Sequence, residues 1–118
     1  MTRVLVDTDV LVDHLRGHRR FTAGKDDVYV SVVTRAELFA GRGTEEARVR
    51  RLLEPFAELA IDRPEAERAG RLRRSTGVGL ADALIAATAL QHRLTIVTRN
   101  AQDYAPIPNL RIRAPSEA

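Results

Sequence analysis

"VLVDTDVLVDHL", residues 4–15, is the stretch that decides the fold. Val4, Leu5 and Val6 form a short apolar run of the kind that serves as a strand covered on both faces. Asp7 and Asp9 follow at once, and a helical pattern starting near Thr8 or Asp9 runs on to Gly17. A strand that passes directly into a helix is the first half of a β–α–β unit. Chains built from such units fold as a parallel sheet with helices on both faces. Three aspartates, Asp7, Asp9 and Asp13, crowd the place where this strand ends, and that placement needs a reason.

The rest of the chain repeats the alternation. Further β-like runs are Val28–Ser31, Leu59–Ile61, Thr95–Thr98 and Arg111–Arg113. Helical patterns lie between them, from about Thr34 to Ala40, from Thr44 to Phe56, from Pro64 toward Gly77, and from Leu80 to Gln91. The expected architecture is α/β, a three-layer α/β/α sandwich with a five-stranded, mostly parallel sheet. All 118 residues, 1–118, fit a single domain. In such a sheet every strand ends, and every crossover helix begins, on the same carboxyl edge, where ligands bind at the point of reversed strand order.

Composition narrows the chemistry. Hydrophobic residues make up 44% and charged residues 30%, which suits a soluble globular chain. Cysteine is absent, which excludes a thiolate metal site, a cysteine nucleophile and a disulfide framework. The first apolar run is cut by acids too early for a signal peptide, and no stretch approaches a membrane span, so a cytoplasmic location is expected. Net charge is +3, and every basic residue but Lys25 is arginine. Arginine binds phosphate through a planar fork of donors, so the balance permits a nucleic-acid partner without demanding one.

Projected onto the carboxyl edge, four acids far apart in sequence meet. Asp7 follows the first strand, Glu37 lies in the first turn of the helix after the second, Asp82 opens the helix before the fourth, and Asp103 follows the fourth with Thr98 and Asn100. Each has a plainer reading. Asp7 or Asp9 suits a helix N-cap. Thr34 and Glu37 match a capping box. Asp82 suits a helix N-terminal dipole. Asp82 resists that reading best, because it is the only charge in "LADALIAATAL", residues 80–90, and shares its face with Ile85, Ala86 and Ala89. A carboxylate on an apolar face costs several kcal/mol without compensation, and a helix N-terminus returns about 0.3–1 kcal/mol. A partner is implied, either an arginine or a metal cation. Oxygen donors alone favour Mg²⁺ or Mn²⁺. His14, His18 and His92 show no ligand spacing with these acids and read as surface residues.

With these residues in place, "VLVDTDVLV", "TRAELFAG", "LADALIAATAL" and "TIVTRNAQDY" together resemble a PIN domain, and more narrowly the VapC-type ribonuclease toxins of toxin–antitoxin pairs. The resemblance covers essentially the whole chain, in order. It implies a Mg²⁺- or Mn²⁺-dependent endoribonuclease, often a homodimer, held inactive by a cognate VapB-type antitoxin. It implies an acidic site of Asp7, Glu37 and Asp82, with Asp103 favoured over Asn100 as the fourth member. Asp7 and Asp82 would be the metal ligands, while Asp9, Thr98 and Asn100 would support them. Tyr104 stands where phenylalanine is more usual, a change expected to matter little. Asp13 is expected on a solvated or partner-facing part of the first helix. The mixed charges of residues 45–54 read as a solvated helix face, and Arg71, Arg73 and Arg74 are the better candidates for RNA contact. Three other readings compete: a receiver domain with Asp62 as phosphoacceptor, which fails for want of a lysine after the last strand; a non-catalytic binding module of this fold; and a phosphodiesterase acting on another substrate.

Overall fold

The computed structural model describes residues 2–116. Its elements are β1 (Arg3–Val6), α1 (Thr8–Leu15), β2 (Asp27–Ser31), α2 (Val32–Ala40), α3 (Glu46–Leu53), β3 (Ala57–Leu59), α4 (Arg63–Thr76), α5 (Leu80–His92), β4 (Thr95–Val97), a 3₁₀ turn over Ala101–Asp103, and β5 (Ile112–Arg113). The strands form one sheet in the order β3-β2-β1-β4-β5. Every pairing is parallel, so the expected "mostly parallel" sheet is parallel throughout.

Alternation along the central strands divides the core. Val4 and Val6 of β1, Val30 of β2 and Val97 of β4 face one side and pack with Val10 and Leu11 of α1, Leu38 of α2, and Val49 and Leu53 of α3. Leu5 and Ile96 face the other side, against Ile85, Ala86 and Ala89 of α5, with Tyr104 and Ile107. Helix α4 lies outside α5, where small residues allow close approach through Ala69, Ala83 and Ala87. Two helical layers thus enclose the sheet.

Three boundaries differ from expectation. The third strand is Ala57–Leu59 rather than Leu59–Ile61, because it is an edge strand held by its register against Tyr29–Ser31. Helix α3 is trimmed at both ends relative to Thr44–Phe56. Helix α2 begins at Val32, capped by the Ser31 hydroxyl, which accepts from the Val33 amide at 3.0 Å. Thr34 is therefore buried inside the helix and Glu37 lies in its second turn, so the capping-box reading is wrong.

Asp62 follows the edge strand β3, away from the point where strand order reverses, and has a structural role there. Its carboxylate caps α4, accepting from the Glu65 amide at 2.8 Å, and takes a second bond from Gln91 Nε2 at 2.9 Å. Two of the three histidines are not plain surface residues. His14 Nδ1 accepts from the Phe21 amide at 3.0 Å, and half-buried His92 lies 3.3 Å from the buried Glu65 carboxylate.

Candidate active site

Strand order reverses at β1, with β2 to one side and β4 to the other. Asp7 and Thr98 follow these two adjacent strands directly, so the sheet delivers both side chains to the carboxyl edge at the switch point. The Asp7 amide donates to the Val97 carbonyl at 2.9 Å, which extends the β1–β4 pairing by one step and fixes the Asp7 backbone. Its carboxylate is also the N-cap of α1, accepting from the Thr8 amide at 2.9 Å. Capping and a place in the acidic site are therefore compatible for this residue.

The buried Thr98 hydroxyl lies 2.9 Å from Asp7 Oδ2 and 3.3 Å from Asp9 Oδ2. A hydroxyl has one proton, so it donates to one of the two carboxylates at a time. Asp9 Oδ2 also accepts from the Arg99 amide at 3.1 Å and from Asn100 Nδ2 at 2.7 Å. Asn100 thus serves as a brace for Asp9. Asp9 Oδ1 is buried and has no hydrogen-bond partner among the described residues. Asp13 is not simply solvated. Its Oδ2 lies 2.8 Å from Arg99 Nε, tying α1 to the segment after β4.

Glu37 and Asp82 reach the rim from the two helical layers. Glu37 is exposed, and its Oε1 accepts from the Thr8 hydroxyl at 2.6 Å; that hydroxyl also lies 3.0 Å from the Thr34 hydroxyl. Asp82 sits in the first turn of α5, half-buried above Ile85 and Ala86. Asp103 lies in the exposed 3₁₀ turn, near enough to Asp82 for their charges to interact.

The electrostatics identify what the cluster lacks. Burial pushes the Asp7 carboxyl up to about 6, and the neighbouring Asp9 charge adds to the rise against hydrogen bonds from Thr98, Tyr104 and the Thr8 amide. Burial also raises Asp9. Asp82 is raised by burial, then by the charges of Asp103, Glu37 and Asp9. Among the described residues, none of Asp7, Asp9, Glu37, Asp82 and Asp103 forms a salt bridge with an arginine, lysine or histidine. The partner implied for Asp82 is therefore not an arginine. Like charges crowded without a counter-ion raise one another's pKa, and a cation removes that penalty.

Oxygen donors, an orphaned Asp9 oxygen and the lack of basic partners fit a hard divalent ion. No three acidic or imidazole groups among the described residues converge tightly enough to ligate one ion unaided.

Two groups were missed in the sequence. Thr8 follows Asp7 and orients Glu37. Tyr104 is fully buried, and its hydroxyl lies 3.4 Å from Asp82 Oδ1 and near enough to Asp7 to feel its charge. Of the proposed RNA contacts, Arg71 and Arg74 are exposed and without a salt bridge among the described residues, whereas Arg73 Nη1 caps the Val78 carbonyl at 3.1 Å. A groove of about 200 Å³ opens beside Glu37, with Leu15, Leu38 and Val49 in its wall and Arg16, Arg42 and Arg48 around it.

A parallel sheet whose switch point gathers carboxylates without a salt-bridge partner among the described residues defines the class, an α/β protein with an acidic site at its carboxyl edge. The chain belongs to the PIN domain family, whose profile matches residues 4–105. It is 41% identical over 120 residues to Ribonuclease VapC10 of Mycobacterium tuberculosis, an alignment covering 92% of this chain and 90% of that protein. A toxin–antitoxin complex from Klebsiella pneumoniae contains a chain of the same fold at TM-score 0.80 and 35% identity, covering 98% of this chain and 99% of that one. VapBC2 from Rickettsia felis, bound to a promoter DNA fragment, matches at TM-score 0.80 and 20% identity, covering 98% and 100%, a likeness of fold alone.

Proposed function

We propose that this protein is a Mg²⁺- or Mn²⁺-dependent endoribonuclease, the toxin of a toxin–antitoxin pair, acting in the cytoplasm. The observation that carries the reading is the group of carboxylates at the switch point, of which Asp7 and Asp82 are raised in pKa and have no salt-bridge partner among the described residues. Relatives named as a ribonuclease and as part of a toxin–antitoxin complex support the substrate and the partner. No helix among the described residues is long and apolar enough to cross a membrane.

In this reading Asp7 and Asp82 hold the ion, with Asp103 beside Asp82. A bound divalent ion lowers the pKa of its water and polarises the phosphoryl group. Thr8 fixes the Glu37 carboxylate, which orients the attacking water or takes its proton. Thr98 and Asn100 hold Asp7 and Asp9 against their mutual repulsion. Arg71 and Arg74 contact RNA phosphates, which position the strand without specifying sequence. The groove beside Glu37, with Leu15, Leu38 and Val49 in its wall and both arginines and glutamates around it, suits a partly apolar antitoxin segment of mixed charge. A homodimer, as the resemblance implies, is the proposed assembly.

The test is cleavage of structured RNAs by purified protein, with and without Mn²⁺, beside Asp7→Asn and Asp82→Asn variants. Metal-dependent cleavage by the natural protein, lost in both variants, is expected. Cleavage that persists in both variants or without metal sinks the assignment, and cleavage of DNA but not RNA transfers it to another substrate.

A further inference from the structure

Tyr104 lies in the core shared by the sheet and α5, with its hydroxyl at the acid cluster. Its ring is fully buried in the core between the sheet and α5, beside Ile85, Ala86 and Ile96. Its backbone is fixed as well, because its amide donates to the Ala101 carbonyl at 3.1 Å and its carbonyl accepts from the Ile107 amide at 3.0 Å. The hydroxyl therefore comes to the underside of the acid cluster on a rigid support.

The two carboxylates it meets are held very differently. Asp7 has the Thr8 amide on Oδ1 at 2.9 Å and the Thr98 hydroxyl on Oδ2 at 2.9 Å. Asp82 has a single hydrogen-bond donor among the described residues, Tyr104 at 3.4 Å. That distance is long for a phenol and a carboxylate, and the hydroxyl has one proton to give. Without the hydroxyl, the Asp82 carboxylate would stand on an apolar helix face with only repulsive charges around it and nothing to choose its rotamer. A phenylalanine would fill the same space and leave Asp82 unheld.

We propose that Tyr104 is a positioning residue for the divalent-cation site: its buried hydroxyl sets the Asp82 carboxylate at a fixed spacing from Asp7, so that a cation meets two preset ligands. This rests on the metal-dependent reading of the site. Groups that orient a ligand from behind commonly contribute about tenfold to hundredfold in metal affinity.

The experiment is calorimetric titration of Mn²⁺ into the full-length protein and its Tyr104→Phe variant. Circular dichroism and cooperative melting of the metal-free variant verify its fold. Binding to Tyr104→Phe is expected to be about tenfold to hundredfold weaker. A second measurement uses Tyr29→Phe, in which Tyr104 is the sole tyrosine of a chain that has no tryptophan. Mg²⁺ titration should then give a saturable near-ultraviolet difference spectrum with its midpoint at the metal Kd, and this decides the matter if Tyr104→Phe does not fold. If the natural protein binds metal and Tyr104→Phe binds it equally well, or if the tyrosine spectrum does not respond, the positioning role is overturned while the metal site stands. If the natural protein binds neither ion, both fall together.

Discussion

At the scale of single residues, Asp7 carries the largest electrostatic cost in the site. Its carboxyl is buried, and its pKa is raised from 3.8 to about 6. A carboxyl raised on folding contributes stability that is fully present below the unfolded value and is lost as pH rises through the folded one. Between 3.8 and about 6 the change is worth about 3 kcal/mol at most. The metal-free protein should therefore melt at a higher temperature near pH 4 than near pH 7, as far as Asp7 governs the difference. Asp7→Asn should flatten that slope and raise stability at pH 7 by about 1–3 kcal/mol. Melting curves across that range, run with chelator, check this; an unchanged slope in the variant would show that Asp7 is not buried at cost. Mg²⁺ should stabilise the natural protein more at pH 7 than at pH 5, because protonated Asp7 competes with the ion.

At the scale of elements, α4 makes a contrasting prediction. Asp62 caps it from outside the acid cluster, so Asp62→Ala should lower stability by about 1 kcal/mol in denaturant unfolding and leave the activity of the folded fraction unchanged. Lost activity in folded Asp62→Ala protein would link Asp62 to the chemistry after all. The elements also show where sequence was readable. Central strands β1, β2 and β4 lie within a residue of their expected bounds, because apolar runs covered on both faces are a strong signal. The edge strand Ala57–Leu59 has no such run, and pairing with β2 sets its position. The start of α2 was hidden because Val32 and Val33, β-branched and directly after the apolar strand, carry a weak helix signal although both are already helical. The acids were legible because parallel topology projects strand ends and helix starts onto one edge. The hydroxyls of Thr8 and Tyr104 were not, because a contact between distant segments leaves no period or spacing in the chain. Tyr104 was noticed in the sequence only as a change expected to matter little.

At the scale of the whole molecule, the mild net charge of +3 hides an uneven distribution. Carboxylates collect at the switch point, while exposed Arg71 and Arg74 occupy the end of α4 that leads into α5. Replacing both arginines by alanine should weaken RNA binding about equally across sequences and reduce the slope of log affinity against log salt by about 1 for each phosphate no longer neutralised. Filter binding at several salt concentrations reads this, and an unchanged slope would remove these arginines from the interface. The pairing of β1 with β4 carries a further consequence for synthesis. Asp7 and Asp9 leave the ribosome well before Thr98 and Asn100, the groups that hold them. A nascent chain halted before β4 has these acids but neither brace, so no finished centre forms until β4 and the segment after it have been made.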